Sequence, residues 1–276
     1  MLRHIVVTAL IAILVLPANG DAMRHRKKHY RRAALPSAAA ALLWDVTANT
    51  ALYEKNPQRP IYAASTTKIM TALLVLEKLP LDQMVTVSSR ATQVPETKLY
   101  LRAGEQYRVK DLLFALLLKS ANDAANVLAE AAGGTQMQFV ALMNARAKQL
   151  GAVHTCFSNA NGLPSATVQY TTAKDMAIIL QEALKNPIFS RIISYKYRII
   201  YSKDGRRHFL KSHNRSLFMH WKKDVDGKTG FTQQAQSCFI GYVEKQGHML
   251  IIAVFDSRRR WEDVKFILER YGKMDL

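Results

Sequence analysis

The sequence predicts an α/β protein: an antiparallel sheet, flanked by helices, that carries an inserted all-helical lobe. Two observations predict it. Strand-like segments cluster at both ends of the body, and long helical patterns fill the stretch between them. The 276 residues, 49% hydrophobic and 22% charged, have globular composition and fit one large domain or two lobes sharing a sheet. So apolar a chain is not disordered, two cysteines cannot staple it, and without long apolar runs it is not a polytopic membrane protein.

The elements follow in order. Segments 42–46 and 51–53, joined by Thr47-Ala48-Asn49, read as two strands and a turn. Residues 66–79 are helical and apolar on nearly every side (Ile69, Met70, Leu73, Leu74, Val75, Leu76), which places that helix in the middle of a core. Helical patterns continue at 112–118, 123–132, 137–150 and 172–184. Short strands then take over at 197–201, 228–232, 237–243 and 249–255, separated by turn signals such as Asp204-Gly205 and Gln246-Gly247. A helix at 260–271 closes the chain, with Trp261, Val264, Leu268 and Tyr271 on one face. The folded domain is expected at 35–276, its sheet lobe at about 35–64 and 190–276 and its helical lobe at about 65–189.

Ahead of it, residues 1–20 have the layout of a secretory signal. Arg3 and His4 precede a mostly apolar run at 5–16, and Ala18 and Gly20 suit cleavage before Asp21. The expected location is therefore exported, periplasmic or extracytoplasmic, possible attachment being peripheral to the membrane. Within the linker 21–34, residues 24–32 carry six Lys/Arg and no acid, which opposes export. This segment reads either as a solvated linker or as a tail that holds the protein on anionic lipid or wall polymer. With 39 Lys/Arg against 21 Asp/Glu, the whole chain has a net charge of +18, so it belongs near a polyanion. The apolar run ahead of the basic segment argues against nucleic acid as that partner. Cys156 and Cys238 read either as a pair formed in an oxidising compartment or, the favoured reading, as separate buried thiols.

Three short constellations carry chemistry. In Ser65-Thr66-Thr67-Lys68, residues three apart share a helical face, so the Lys68 amine reaches the Ser65 hydroxyl. A serine needs a base to become a nucleophile, and a lysine is a base only when burial or a second cation populates its neutral form. The competing explanation is that Ser65 is an N-cap, yet a cap would favour Glu or Gln where Lys68 stands. Ser120-Ala121-Asn122 has a stronger rival, a capping box of Ser120 with Asp123, and a look-alike at Ser212-His213-Asn214. Lys228-Thr229-Gly230 opens a strand on which the bare Gly230 would let a substrate backbone lie; a phosphate loop is excluded because Lys222 stands where it needs glycine. The eight histidines form no metal-binding spacing; His208, His213 and His220 read as surface or strand residues, and neither metal nor cofactor is implied.

In this order, S-x-x-K, S-x-N and K-T-G form the set of penicillin-binding proteins and class A β-lactamases. The chain resembles the D-alanyl-D-alanine carboxypeptidase family, the low-molecular-weight penicillin-binding proteins. The likeness extends through 65–77 (STTKIMTALLVLE), 120–125 (SANDAA), 144–163 (NARAKQLGAVHTCFSNANGL), 170–175 (YTTAKD) and 225–232 (VDGKTGFT). It implies a five-stranded antiparallel sheet of the β-lactamase/transpeptidase type. It also implies an acyl-enzyme on Ser65, formed while removing the terminal D-alanine of peptidoglycan stem peptides, with β-lactams as covalent inhibitors. In that scheme Lys68 is the base and Ser120 relays the proton. Lys228 orders Ser120, Asn122 bonds the substrate amide, and the oxyanion lies between the N–H groups of Ser65 and Phe231. Thr229 and Arg260 hold the terminal carboxylate, beside Gly230. Two alternatives remain, a D,D-endopeptidase cutting crosslinks and a non-catalytic basic protein that grips wall polymer. The family's usual apolar residue between the last Gly and Lys is missing, since Gly227 abuts Lys228, which is expected to shift the strand register. Many members add a C-terminal β-rich domain and an amphipathic helix, and this chain is expected to lack both. A class A β-lactamase needs a loop glutamate for deacylation, and residues 131–181 contain none, so penicillin is expected to leave slowly.

Overall fold

The computed structural model describes residues 35–95 and 97–276; the export signal and basic segment read at the N-terminus lie outside the described residues. Pro36–Leu276 forms one unit. Its chain runs through β1 (Ala40–Asp45), β2 (Thr50–Lys55), a 3-10 turn at Ala64–Thr67, α1 (Lys68–Lys78), β3 (Met84–Thr86), α2 (Ser89–Thr92), β4 (Gln106–Arg108) and α3 (Val109–Phe114). A π-helical turn at Ala115–Lys119 leads to α4 (Asn122–Gly133), α5 (Gln136–Gln149), α6 (Ala173–Leu184) and α7 (Pro187–Ile193). Then come β5 (Tyr197–Tyr201), β6 (Arg207–Lys211), a 3-10 turn at Arg215–Phe218, β7 (Asp226–Thr232), β8 (Gln236–Lys245), β9 (His248–Ser257) and α8 (Arg260–Arg270).

The expected architecture is present. A five-stranded sheet has the order β2-β1-β9-β8-β7, and every neighbouring pair is antiparallel. Period-two alternation explains why it lies between two layers. Leu42, Ile251, Ala253 and Phe255 pack with the large cluster of α1, α3, α4 and α6, while Leu43, Leu250, Ile252 and Val254 pack with Trp261, Val264, Ile267 and Leu268 of α8. Every residue of α1 from Lys68 to Val75 is buried, so this helix is the hub of the helical side. Among the described residues no helix is long and apolar enough to cross a membrane.

The structure corrects several expectations. The inserted lobe is not all-helical: β3 pairs with β4 in a small ribbon, too short for three alternating residues to announce it. Segment 197–201 is a strand, but it pairs with β6 in a separate ribbon rather than joining the main sheet. β6 and α7 escaped the sequence reading because His208 and Lys211 blur the alternation of one and the other is barely two turns long, although Asn186 caps it and Pro187 opens it. Across the adjoining Gly227 and Lys228, β7 pairs with β8 without a bulge from Asp226 to Thr232. Both cysteines are free; Cys238 is buried as expected, but Cys156 is partly exposed.

One carboxylate ties the start of the domain to its last helix. Asp263, 2% exposed, accepts hydrogen bonds from Ser37 N, Ser37 Oγ, Ala38 N and Ser257 Oγ at 2.7–2.9 Å. Asp263→Ala leaves these buried donors without partners and is expected to lower unfolding free energy by about 3 kcal/mol in urea titrations. A loss under about 0.5 kcal/mol, the size of an ordinary surface change, would show that the clamp is not structural.

Candidate active site

Ser65 is placed by a strained turn rather than by a helix cap. It sits in the 3-10 turn, neither that turn nor α1 has a side-chain cap, and its neighbour Ala64 has φ of 47°. Two glycines let other segments close on this turn. A Cβ on Gly162, where φ is +80°, would stand 1.9 Å from Ala64 O; one on Gly230 would stand 3.0 Å from Ala63 O and 3.1 Å from Ser65 N. The bareness of Gly230 thus makes room first for the protein's own serine turn, not only for a substrate backbone.

One helical turn on, Lys68 has no exposed surface. Its Nζ lies 2.9 Å from Ser65 Oγ, 2.7 Å from Asn122 Oδ1 and 2.6 Å from Asn161 O. Asn122 Oδ1 and Asn161 O can only accept, whereas a hydroxyl can also donate. A neutral amine has two N–H groups for the first two and a lone pair left for the Ser65 proton. Burial, and next the nearby Lys228 cation, push the Lys68 pKa well below the ordinary lysine range, against a smaller opposing pull from Asp123. That carboxylate is itself held by the backbone N–H groups of Leu99, Leu101 and Ala124.

Ser120 closes the π-helical turn in a left-handed conformation, φ 62°, and is buried. Strain of this kind in a non-glycine residue clusters at functional sites. The capping box with Asp123 does not form, for α4 starts from Ala121 without a side-chain cap. Lys228 Nζ instead donates to Ser120 Oγ at 2.9 Å and to Thr229 O at 3.0 Å. Burial, with Arg260 nearby, brings its pKa down to about 7. The amide of Asn122 is turned inward: Oδ1 accepts from Lys68, and Nδ2 donates to Pro95 O at 3.2 Å. In this state it bridges α1 and α4.

Ser65, Ser120, Thr229, Gly230, Phe231 and Arg260 line one cleft of about 660 Å³. Lys68, Asn122 and Lys228 stand behind this wall as buried support. Arg260 is fixed by donating to Gly230 O at 3.1 Å and Cys238 O at 3.0 Å. Sequence reasoning missed two participants. His213, set aside with its Ser212-His213-Asn214 look-alike, also lines the cleft; burial first, then neighbouring cations led by Lys228 and Lys119, lower its pKa to about 4. His208 proves to be a buried strand residue bonded to Tyr107 Oη, and His220 is exposed. The second omission is Asn161, whose carbonyl reaches Lys68. The loop that carries it is pinned by Asn159 Oδ1 accepting from Gly162 N at 2.6 Å and by Thr71 Oγ1 donating to Ala160 O at 2.7 Å. Among the described residues no group of His, Cys, Asp and Glu is arranged to hold a metal. A hydroxyl beside a buried amine, with a second hydroxyl–amine pair across the cleft, is machinery for transferring an acyl group and a proton.

Comparison with known proteins agrees with this geometry. The D-alanyl-D-alanine carboxypeptidase profile matches residues 28–259. The chain is 31% identical over 259 residues to D-alanyl-D-alanine carboxypeptidase DacF of Bacillus subtilis, covering 92% of this chain and 66% of the relative. It is 35% identical over 193 residues to DacB2 of Mycobacterium tuberculosis, covering 69% and 65%. The chain therefore spans slightly under two thirds of these curated relatives. The crystal structure of a D-alanyl-D-alanine carboxypeptidase from Mycobacterium tuberculosis superposes with a TM-score of 0.80 at 29% identity, covering 87% of this chain and 92% of that one.

The two buried amines also predict a pH dependence. A lysine whose folded pKa is depressed binds fewer protons folded than unfolded, between the folded value and the ordinary 10.5, so stability rises with pH across that window. Unfolding free energy is expected to increase from pH 7 to about 8, before ionisation of thiols in the unfolded chain, ordinary pKa about 8.5, offsets the gain because burial pushes the Cys238 thiol up to about 12. Lys228→Met should lessen that slope in urea titrations, leaving the part due to Lys68; an unchanged slope would mean that Lys228 does not contribute to it.

Proposed function

Because the chain belongs to the D-alanyl-D-alanine carboxypeptidase family, we propose that it is a serine D,D-carboxypeptidase, removing the terminal D-alanine from peptidoglycan stem peptides outside the cytoplasmic membrane. The observation that carries this reading is the 2.9 Å approach of a fully buried lysine amine to Ser65 Oγ, with no carboxylate among its hydrogen-bond partners.

Ser65 Oγ attacks the carbonyl between the two D-alanines as Lys68 takes its proton. The oxyanion lies between the N–H groups of Ser65 and Phe231, donors that typically contribute about 3 kcal/mol each to such a transition state. Ser120, ordered by Lys228, passes a proton to the leaving amine, and free D-alanine departs as the C–N bond breaks. Water then cleaves the ester and restores Ser65. Thr229 and Arg260 hold the terminal carboxylate. For Asn122 to bond the substrate amide as well, its Nδ2 uses the hydrogen not given to Pro95. A β-lactam follows the same first step, but its tethered leaving group and the lack of a loop glutamate keep the ester in place. Residues 1–20 serve as the export signal, and the cations of 24–32 contact anionic lipid or wall polymer.

Incubating the protein with benzylpenicillin, followed by intact-mass measurement, is expected to show a stable one-to-one adduct. A pentapeptide ending in D-Ala-D-Ala should release D-alanine, and Ser65→Ala should abolish the adduct and slow release by more than about a thousandfold. A folded protein that neither labels nor releases D-alanine would leave the basic polymer-binding alternative. Release only from a crosslinked muropeptide would make the protein an endopeptidase.

A further inference from the structure

The ribbon of β5 and β6 breaks the rule that a half-buried strand pair turns a polar face to water. Tyr197 pairs with Lys211, Ile199 with Phe209 and Tyr201 with Arg207, so these six side chains share one face. All six are exposed, whereas Ile200, His208 and Leu210 on the other face are buried. That inner face is anchored: Ile200 and Leu210 belong to the large apolar cluster, and His208 Nε2 lies 2.8 Å from Tyr107 Oη. Outward stand Tyr197, Ile199, Tyr201 and Phe209, each 36–57% exposed, with one cation at either end and no acid. Neither Arg207 nor Lys211 forms an ion pair with a described carboxylate. In the turn between the strands Lys203 offsets Asp204, and Arg206 is paired with Glu105.

A contiguous apolar face of this kind marks a contact surface, and its chemistry selects what covers it. A second copy of a chain with net charge +18 is repelled there, cation against cation. A hydrated polyanion such as wall polymer satisfies Arg207 and Lys211 but leaves Ile199 and Phe209 in water. Nor do the rings lie flat as a platform for sugars. Tyr197 stacks on Phe209 with ring centroids 5.7 Å apart and meets Phe218 edge-on at 5.5 Å. The surface of an anionic bilayer meets both demands. Aromatic rings settle at headgroup level, aliphatic and phenyl groups reach the acyl boundary, and lysine and arginine find lipid phosphates.

We propose that the outer face of the β5–β6 ribbon docks the folded domain on the headgroup region of an anionic lipid bilayer. The face adjoins the cleft, because Lys211 at its end and Phe218 against Tyr197 both line that cleft. Docking therefore holds the mouth of the cleft at the lipid surface. This contact is distinct from the one assigned to residues 24–32, and it does not rest on the carboxypeptidase reading.

Vesicles of phosphatidylglycerol mixed with phosphatidylcholine test this with the full chain. In Phe209→Trp the added indole is expected to be quenched by brominated acyl chains, beyond any quenching of the wild-type Trp44, Trp221 and Trp261. That signal reads position 209 itself, so binding through the N-terminal segment does not imitate it. Ile199→Ser/Tyr201→Ser/Phe209→Ser should bind the same vesicles about tenfold more weakly than the wild type. A cooperative thermal transition reports that this variant is folded; if it is not, the quenching decides alone. Vesicle-bound Phe209→Trp without added quenching, or a folded triple variant that binds as the wild type does, would overturn the proposal. So would a wild-type dimer that the triple variant loses, which would make the face an interface between copies. Weaker binding of the triple variant to isolated wall polymer, with vesicle binding unchanged, would give the face to polymer and overturn it equally.

Discussion

The burial of an amine inside an apolar helix is the constraint around which this protein is arranged. A charged lysine in such a place is costly unless it is paired with an anion, and the hydrogen-bond partners of Lys68 are an amide oxygen, a peptide carbonyl and a hydroxyl. The site therefore favours the neutral form by desolvation and by a second buried cation, the two effects that lower a lysine pKa. Four segments converge to keep it there. The 3-10 turn supplies Ser65, α4 supplies Asn122, the loop after α5 supplies the Asn161 carbonyl, and β7 supplies Lys228. Displacing any of them would expose the amine to water or alter its charge.

The sheet's part in this arrangement is to hold β7 in register against the serine turn. Its pairing with β8 runs unbroken through the glycine-lysine step, and the missing Cβ of Gly230 lets the strand touch Ala63 and Ser65. A side chain there would push apart the two elements that the chemistry needs together. The left-handed backbone of Ser120 serves the same end, turning its hydroxyl towards Lys228 at the point where the π-helical turn gives way to α4.

Much of this was legible in the sequence, and the gaps have physical causes. Strands with clean period-two alternation and long apolar helices announced themselves, as did the three motifs with Lys68 standing where an N-cap box would put an acid. Resemblance to a family, not spacing alone, linked Ser120 and Lys228 across 108 residues. The β3–β4 ribbon and β6 stayed hidden because tertiary pairing, rather than local pattern, makes them strands. Asn161 was overlooked because its carbonyl, not its side chain, meets Lys68, and no residue preference encodes a carbonyl. His213 was read as a surface or strand residue because nothing in its own neighbourhood reveals that a distant lysine cluster surrounds it.

The central claim is that Lys68 is an uncharged amine in the resting protein. Lysine-selective isotope labelling followed by an NMR pH titration measures this directly, with the Lys68 resonance assigned by its loss in Lys68→Arg. The account predicts a resonance that titrates well below those of the exposed lysines, and that shifts upward in pH when Lys228 is replaced by glutamine. A Lys68 signal that stays protonated until the exposed lysines lose their protons would contradict it.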